Sequence, residues 1–96
     1  MLQTPEMSVA AGLVLDEHSK QLARWVDPMG MGLTAYGIEI YRTYSELVRD
    51  VNAVVFGKNP NNPSPQEWIR IQHTAVKVSA VALAIVEATL RKEKQQ

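Results

Sequence analysis

"VKVSAVALAIVEA", residues 76–88, decides how this chain must fold. Wound as a helix, its apolar residues point almost all the way round, interrupted only by Lys77, Ser79 and Glu87. A helix that is apolar on every side has to be buried on every side, and three helices can hardly wrap one of their own so fully. The segment therefore predicts self-association, as a dimer or tetramer, through Val78, Val81, Ala82 and Ile85. Small residues at 75, 79, 80, 82, 84 and 88 permit close helix–helix approach. The alternative is that the first helix covers more of this surface than its length promises.

Working outward, the punctuation of the chain marks three helices. Ser64-Pro65-Gln66-Glu67 reads as a capping box, so the apolar helix starts near 65 and runs to about 92, ending in "RKEKQQ". Ahead of it, "KNPNNPSP" is a turn-forming linker that cannot be helical. A second helix is expected over about 33–56, with Gly57 placed to adopt the left-handed conformation that ends many helices. The first is expected over about 5–26, capped by Thr4 with Pro5 at the first helical position. Asp27-Pro28 and "MGMG" close it. No strand alternation and no internal repeat appears. The fold class is all-α: one domain over 1–96, three main helices in an antiparallel bundle completed by oligomerisation.

The bulk composition narrows the function. Ninety-six residues hold ten basic and ten acidic side chains, a balance that gives no field to attract nucleic acid. There is no cysteine, which excludes disulfides and thiolate metal sites. The N-terminus lacks a basic start and its apolar patch is broken by acids, unlike a signal peptide. The apolar stretch quoted above falls short of the roughly 20 residues of a membrane span. A soluble, cytoplasmic protein without membrane partners is expected.

The second helix carries the candidate chemistry. Ile40, Tyr44, Leu47, Val51 and Val54 recur at spacings of 4 and 3, a narrow apolar stripe. Arg42 and Arg49 fall opposite it, in water, while Glu39, Glu46 and Asp50 form a row along one flank. Such a row is either half of a metal site or the wet flank of an amphipathic helix.

Two further stretches resemble a known family. "DEHSKQLARW", residues 16–25, with Glu17, Lys20, Gln21, Arg24 and Trp25, is similar to the early helix of phage-type MazG-like proteins. Residues 76–88 resemble their final Ala/Val-rich helix, which ends in Ile/Val-Glu-Ala. The two matches lie in the right order and together cover about a quarter of the chain. The resemblance implies an all-α nucleoside triphosphate pyrophosphohydrolase relative, oligomeric, of phage or mobile-element kinship, with carboxylates from two helices holding Mg²⁺ against the triphosphate. Carried over, it gives Glu46 and Asp50 as Mg²⁺ ligands with Glu39 assisting, and Lys77 near phosphate. It assigns no catalytic residue, because the chain departs from the family pattern. Leu47 stands where a second glutamate belongs, and Thr74 and Lys77 stand where the last helix should supply acids. A lysine beside a Mg²⁺ site opposes the metal by like charge.

Two classes of function stay open: a divergent pyrophosphohydrolase relative of weak or lost activity, or a non-catalytic oligomeric helical module that binds other proteins. Glu17 is either a substitute ligand or a solvated carboxylate in "DEHSK", the latter being the commoner fate of helical charges. His18 and His73 lack the spacing of a zinc site, and His73 reads as a packing or interface residue. Trp25 and Trp68, and Tyr36, Tyr41 and Tyr44, read as buried packing in preference to nucleobase platforms. Serine and threonine have no His/Asp partner for nucleophilic catalysis, and "MGMG" is no phosphate loop.

Overall fold

The computed structural model describes residues 4–25 and 30–95, with side chains to 93. It consists of three helices, α1 (Pro5–Arg24), α2 (Leu33–Val55) and α3 (Pro65–Gln95), and no strand among the described residues. The ending expected at Asp27-Pro28 lies outside the described residues; α1 stops at Arg24, with Trp25 extended. The last helix, α3, continues to Gln95, a little past the end expected near 92.

The caps follow the sequence at two starts. Met7 N–H donates to Thr4 Oγ1 at 3.1 Å, with Pro5 behind it in the first turn. Glu67 N–H donates to Ser64 Oγ at 3.2 Å, and Ser64 N–H donates to Glu67 Oε1 at 2.8 Å. Four backbone groups would otherwise be orphaned at each start, and these side chains satisfy part of them. The end of α2 differs from expectation. No described glycine has a positive φ, so Gly57 is not a left-handed cap. Its role is clearance: a Cβ there would lie 2.6 Å from the carbonyl oxygen of Ala53, while Gly57 N–H closes the last turn onto Val54 at 3.1 Å.

The central element is α3, which packs extensively against both α2 and α1, whereas those two barely meet. The start of α2 lies beside the end of α3 and its second half beside the start, an antiparallel pair. Across α3 runs α1: Gln21 Nε2 donates to the Lys77 carbonyl at 3.2 Å, and His18 Nε2 meets Glu87. At the α1–α2 connection the Trp25 ring stands edge-on to buried Tyr36, with centroids 6.1 Å apart.

The turn of α2 about its own axis departs from the expected stripe. The line facing α3 is Tyr36, Thr43, Asp50 and Val54, and Tyr44, expected in the core, is 56% exposed. Asp50, expected on the wet flank, is buried at 4%. The buried threonines are compatible with this orientation. Thr43 and Thr74 are both buried, and each hydroxyl donates back to its own helix, to Glu39 O at 2.9 Å and Arg70 O at 3.2 Å. Each hydroxyl is satisfied within its own helix, so a polar side chain can be buried there without an unpaired group.

At 100° per residue, Glu39 and Glu46 fall on one side of this seam, and Leu47, Ile40, Val51 and Tyr44 on the other. Lys77, which pairs with Glu46, marks the same polar side on α3. Val78, Ile71, Ala82 and Val86 fall on the opposite side of α3, so the apolar flanks of the two helices adjoin. Val81 needs correction as an oligomer contact: it is wholly enclosed within the chain, with Ala80 and Ala84 beside it. Val78 and Ile85 are half-buried and Ala82 is exposed. Trp68 and Tyr41 are also exposed, where buried packing was expected. Residues 65–93 of α3 are, by length and composition, enough to cross a membrane, a longer stretch than the quoted segment alone.

Candidate functional site

The second half of α2 and the first half of α3 enclose an open cleft of about 490 Å³. Glu46, Arg49 and Asp50 line it from α2; Gln66, Ile69, Arg70, His73, Thr74 and Lys77 line it from α3. Thus Glu46, Asp50, Thr74 and Lys77, singled out from sequence, share one cavity. The antiparallel pairing brings them together, because the turn after Val55 folds α3 back along α2.

The acids of the cleft are already neutralised by neighbouring cations. Lys77 Nζ lies 3.9 Å from Glu46 Oε2, and Arg42 Nη1 lies 3.5 Å from Glu46 Oε1. Asp50 Oδ1 accepts from Arg49 Nε at 3.3 Å and Nη2 at 3.2 Å. Glu39 stands apart from the cleft lining, where it accepts from Arg42 Nη2 at 2.8 Å. That hydrogen bond raises the Arg42 pKa above its ordinary value, against a lowering by partial burial, and the charges of Glu39 and Glu46 add to the rise. Arg42 therefore stays charged and ties two of the three expected metal-ligand candidates, Glu39 and Glu46, to itself. Among the described residues no group of three or more His, Asp or Glu side chains is gathered as a metal would need.

Asp50 retains one unusual feature. Its second oxygen, Oδ2, is buried and has no hydrogen-bond partner. Such an oxygen carries an uncompensated desolvation cost unless a donor reaches it.

Several lining residues escaped the sequence reading. Arg70, His73 and Lys77 recur at spacings of 3 and 4, which sets three basic side chains on one face of α3. The spacing was visible, but only the fold supplies the opposing Arg49 and Asp50. His73 is exposed in the single chain and lines the cleft. Glu17 is no freely solvated charge either. Its side chain is only 15% exposed, pairs with Arg24 at 3.1 Å, and lines a smaller adjoining hollow with His73 and Lys77. Because α1 packs on α3, Glu17 meets the lysine side of the site and not the α2 acids.

Fold and cleft together define an all-α protein of three helices with a mixed acid–base cleft between α2 and α3. No family model matches the chain, and no curated protein or solved structure was found to be similar to it.

Proposed function

We propose that this chain is a self-associating helical interaction module, in which two copies bury the adjoining apolar flanks of α2 and α3 against each other. One observation carries the reading. The apolar core of the described chain is Tyr36, Val54, Ala80, Val81 and Ala84, while Tyr41, Tyr44, Val55 and Val86 remain exposed. Small domains are stabilised only narrowly even with full cores, and two alanines bury little area. A surface on which folding depends must be covered whenever the chain folds, and a second copy is the one partner always at hand. Val78, Ala82 and Ile85 belong to this seam with Tyr44, Leu47 and Val51, giving a dimer that a further pairing extends to a tetramer.

A lipid bilayer is the competing cover for α3. Lys77 and Glu87 are ten residues apart, a rise of only about 15 Å, against a hydrocarbon thickness of roughly 30 Å. At least one of the two charges would then sit deep in the hydrocarbon, so an aqueous, cytoplasmic setting is the reading adopted. Sedimentation of the purified, detergent-free protein tests it. A dimer or tetramer is the expected result; a monomer at all concentrations, or a requirement for detergent, defeats it.

A second reading, a divergent MazG-like, Mg²⁺-dependent nucleotide pyrophosphohydrolase, is favoured by the shared cavity of Glu46, Asp50, Thr74 and Lys77. The ion pairs on both acids argue for weak metal binding and low or lost turnover. Pyrophosphate release from each nucleoside triphosphate with Mg²⁺, compared with Glu46→Ala and Asp50→Ala, scores it. Release no greater than that of the variants rejects it.

A further inference from the structure

The first half of α1 stands clear of the rest of the chain. Residues 4–13 are all exposed, Met7 at 45% and Val9 at 63%. The helix crosses α3 steeply, since His18 and Gln21, about one turn apart, reach Glu87 and the Lys77 carbonyl, ten residues apart. Its other end, at Trp25, meets Tyr36 near the start of α2. Residues 5–12 therefore leave α3 on the side away from α2, as an arm that rises about 12 Å. So short a helix is marginal in water when nothing covers it, and from Met7 to Leu15 this one carries no charge. Met7, Ala10 and Val14 continue, at spacings of 3 and 4, the line of buried His18 and Gln21 by which α1 packs on α3. The packing face thus runs on past the helix it packs against.

The surface area calls for a second contact of this kind. The chain exposes 7256 Å², whereas a compact chain of 10.7 kDa exposes about 5,500 Å². The excess, roughly 1,700 Å², is about twice what one partner contributes to an interface of ordinary size. Burying the α2–α3 flanks against a second copy covers about half of it. We propose that the first half of α1 covers the rest, as an arm laid across α3 of a second copy, with the two copies exchanging arms reciprocally. The face of Met7, Ala10 and Val14 rests on the other copy's α3 flank, the one that carries exposed Ala82 and Val86. Packed helices lie roughly 8–10 Å apart, so the arm is long enough to cross one neighbouring helix and no more. Each α1 then spans two α3 helices, its second half on its own and its first half on the other. The inference rests on the self-association proposed above and names the element that completes the interface.

Hydrogen exchange of the full chain, read beside its sedimenting mass, tests this. In the oligomer the backbone amides of residues 9–13 are expected to exchange about a hundredfold more slowly than those of an exposed helix end. Ala82→Lys, which spoils the α3 surface under the arm, should return them to the exposed rate; protection that persists in this variant overturns the placing. Ala10 is exposed in the single chain, so Ala10→Glu leaves the fold intact and its helix content unchanged. It sets a charge in the proposed contact and should weaken self-association about tenfold or more. Val9→Lys, on the opposite face of the arm, should change it less than about twofold. An oligomer whose arm amides exchange freely, or equal effects of Ala10→Glu and Val9→Lys, overturns the arm and leaves the self-association reading standing. A monomer at all concentrations overturns both.

Discussion

Lys77 on α3 sets its ammonium 3.9 Å from the carboxylate of Glu46 on α2, across the cleft that also holds buried Asp50. The pair spans the two helices where carboxylates on both sides would be needed to hold a divalent cation. With Arg42 and Arg49 on the same helix as the acids, the negative charge of the cleft is balanced within the chain. The relationship turns an acidic half-site into a mixed one.

Replacing that ammonium by a carboxylate should create what the cleft lacks. Lys77→Glu puts a third acid beside Glu46 and Asp50, removes a like charge from the metal's surroundings and adds an attraction. Mn²⁺ binding, used as a probe for Mg²⁺, is expected to tighten at least about tenfold over the unaltered chain, a change of roughly 1.4 kcal/mol. Unchanged Mn²⁺ affinity would mean that the cleft is too open to hold a metal whatever its charges.

The capping box has a measurable share in the stability of α3. Ser64→Ala removes the acceptor for the Glu67 N–H, and the loss should be about 1 kcal/mol. In a chain of this length that corresponds to a midpoint lowered by roughly 4–8 °C, measured at fixed protein concentration. Ser64→Asp, which keeps an acceptor, should recover most of it; a recovery no better than alanine would show that the hydroxyl caps nothing in solution.

Helix positions were legible because they depend on local chemistry. Thr4, Pro5 and the Ser64–Glu67 pair act within one turn of themselves, and the linker prolines act on their own dihedrals. The rotation of α2 was not legible. Periodicity located an apolar stripe on Ile40, Tyr44, Leu47, Val51 and Val54, of which only Val54 is buried; the rest of the buried line of α2 is Tyr36, Thr43 and Asp50, and the buried surface of α3 includes Thr74 and Val81. A self-bonded threonine packs like a valine, and hydropathy patterns do not record that. Of the residues that line the cleft, Glu46, Asp50 and Lys77 had been singled out in the sequence. Arg70 was passed over, Arg49 was read as a solvated charge and His73 as a packing or interface residue, because their place in the cleft exists only once the helices are paired.

Gly57 should not tolerate a side chain, for a reason unrelated to handedness. The Cβ of Gly57→Ala would come within 2.6 Å of the Ala53 carbonyl oxygen, so the end of α2 must open. A loss of about 1–3 kcal/mol is expected, as for other overpacked positions, measured by urea denaturation. A left-handed glycine cap is often filled by Asn, and here Gly57→Asn should be as harmful as Gly57→Ala. A clear advantage of Asn over Ala would indicate a positive φ at this position.

A valine-to-alanine change on α3 and a lysine substitution on each of α2 and α3 separate the chain's own core from the proposed seam between copies. Val81 is wholly enclosed, so Val81→Ala should cost about 2 kcal/mol and leave the oligomer mass unchanged. Tyr44 is 56% exposed in the single chain, where substitutions away from special contacts usually stay within about 0.5 kcal/mol. If the apolar flank of α2 and α3 is covered by a second copy, Tyr44→Lys should instead lower the sedimenting mass toward the monomer. It should also lower the denaturation midpoint, and the loss should grow as the protein is diluted. Ala82→Lys, on the adjoining flank of α3, should act in the same direction. Lysine at both positions leaving mass and stability untouched would remove this face from the interface, because a buried seam cannot accept two ammonium groups without partners.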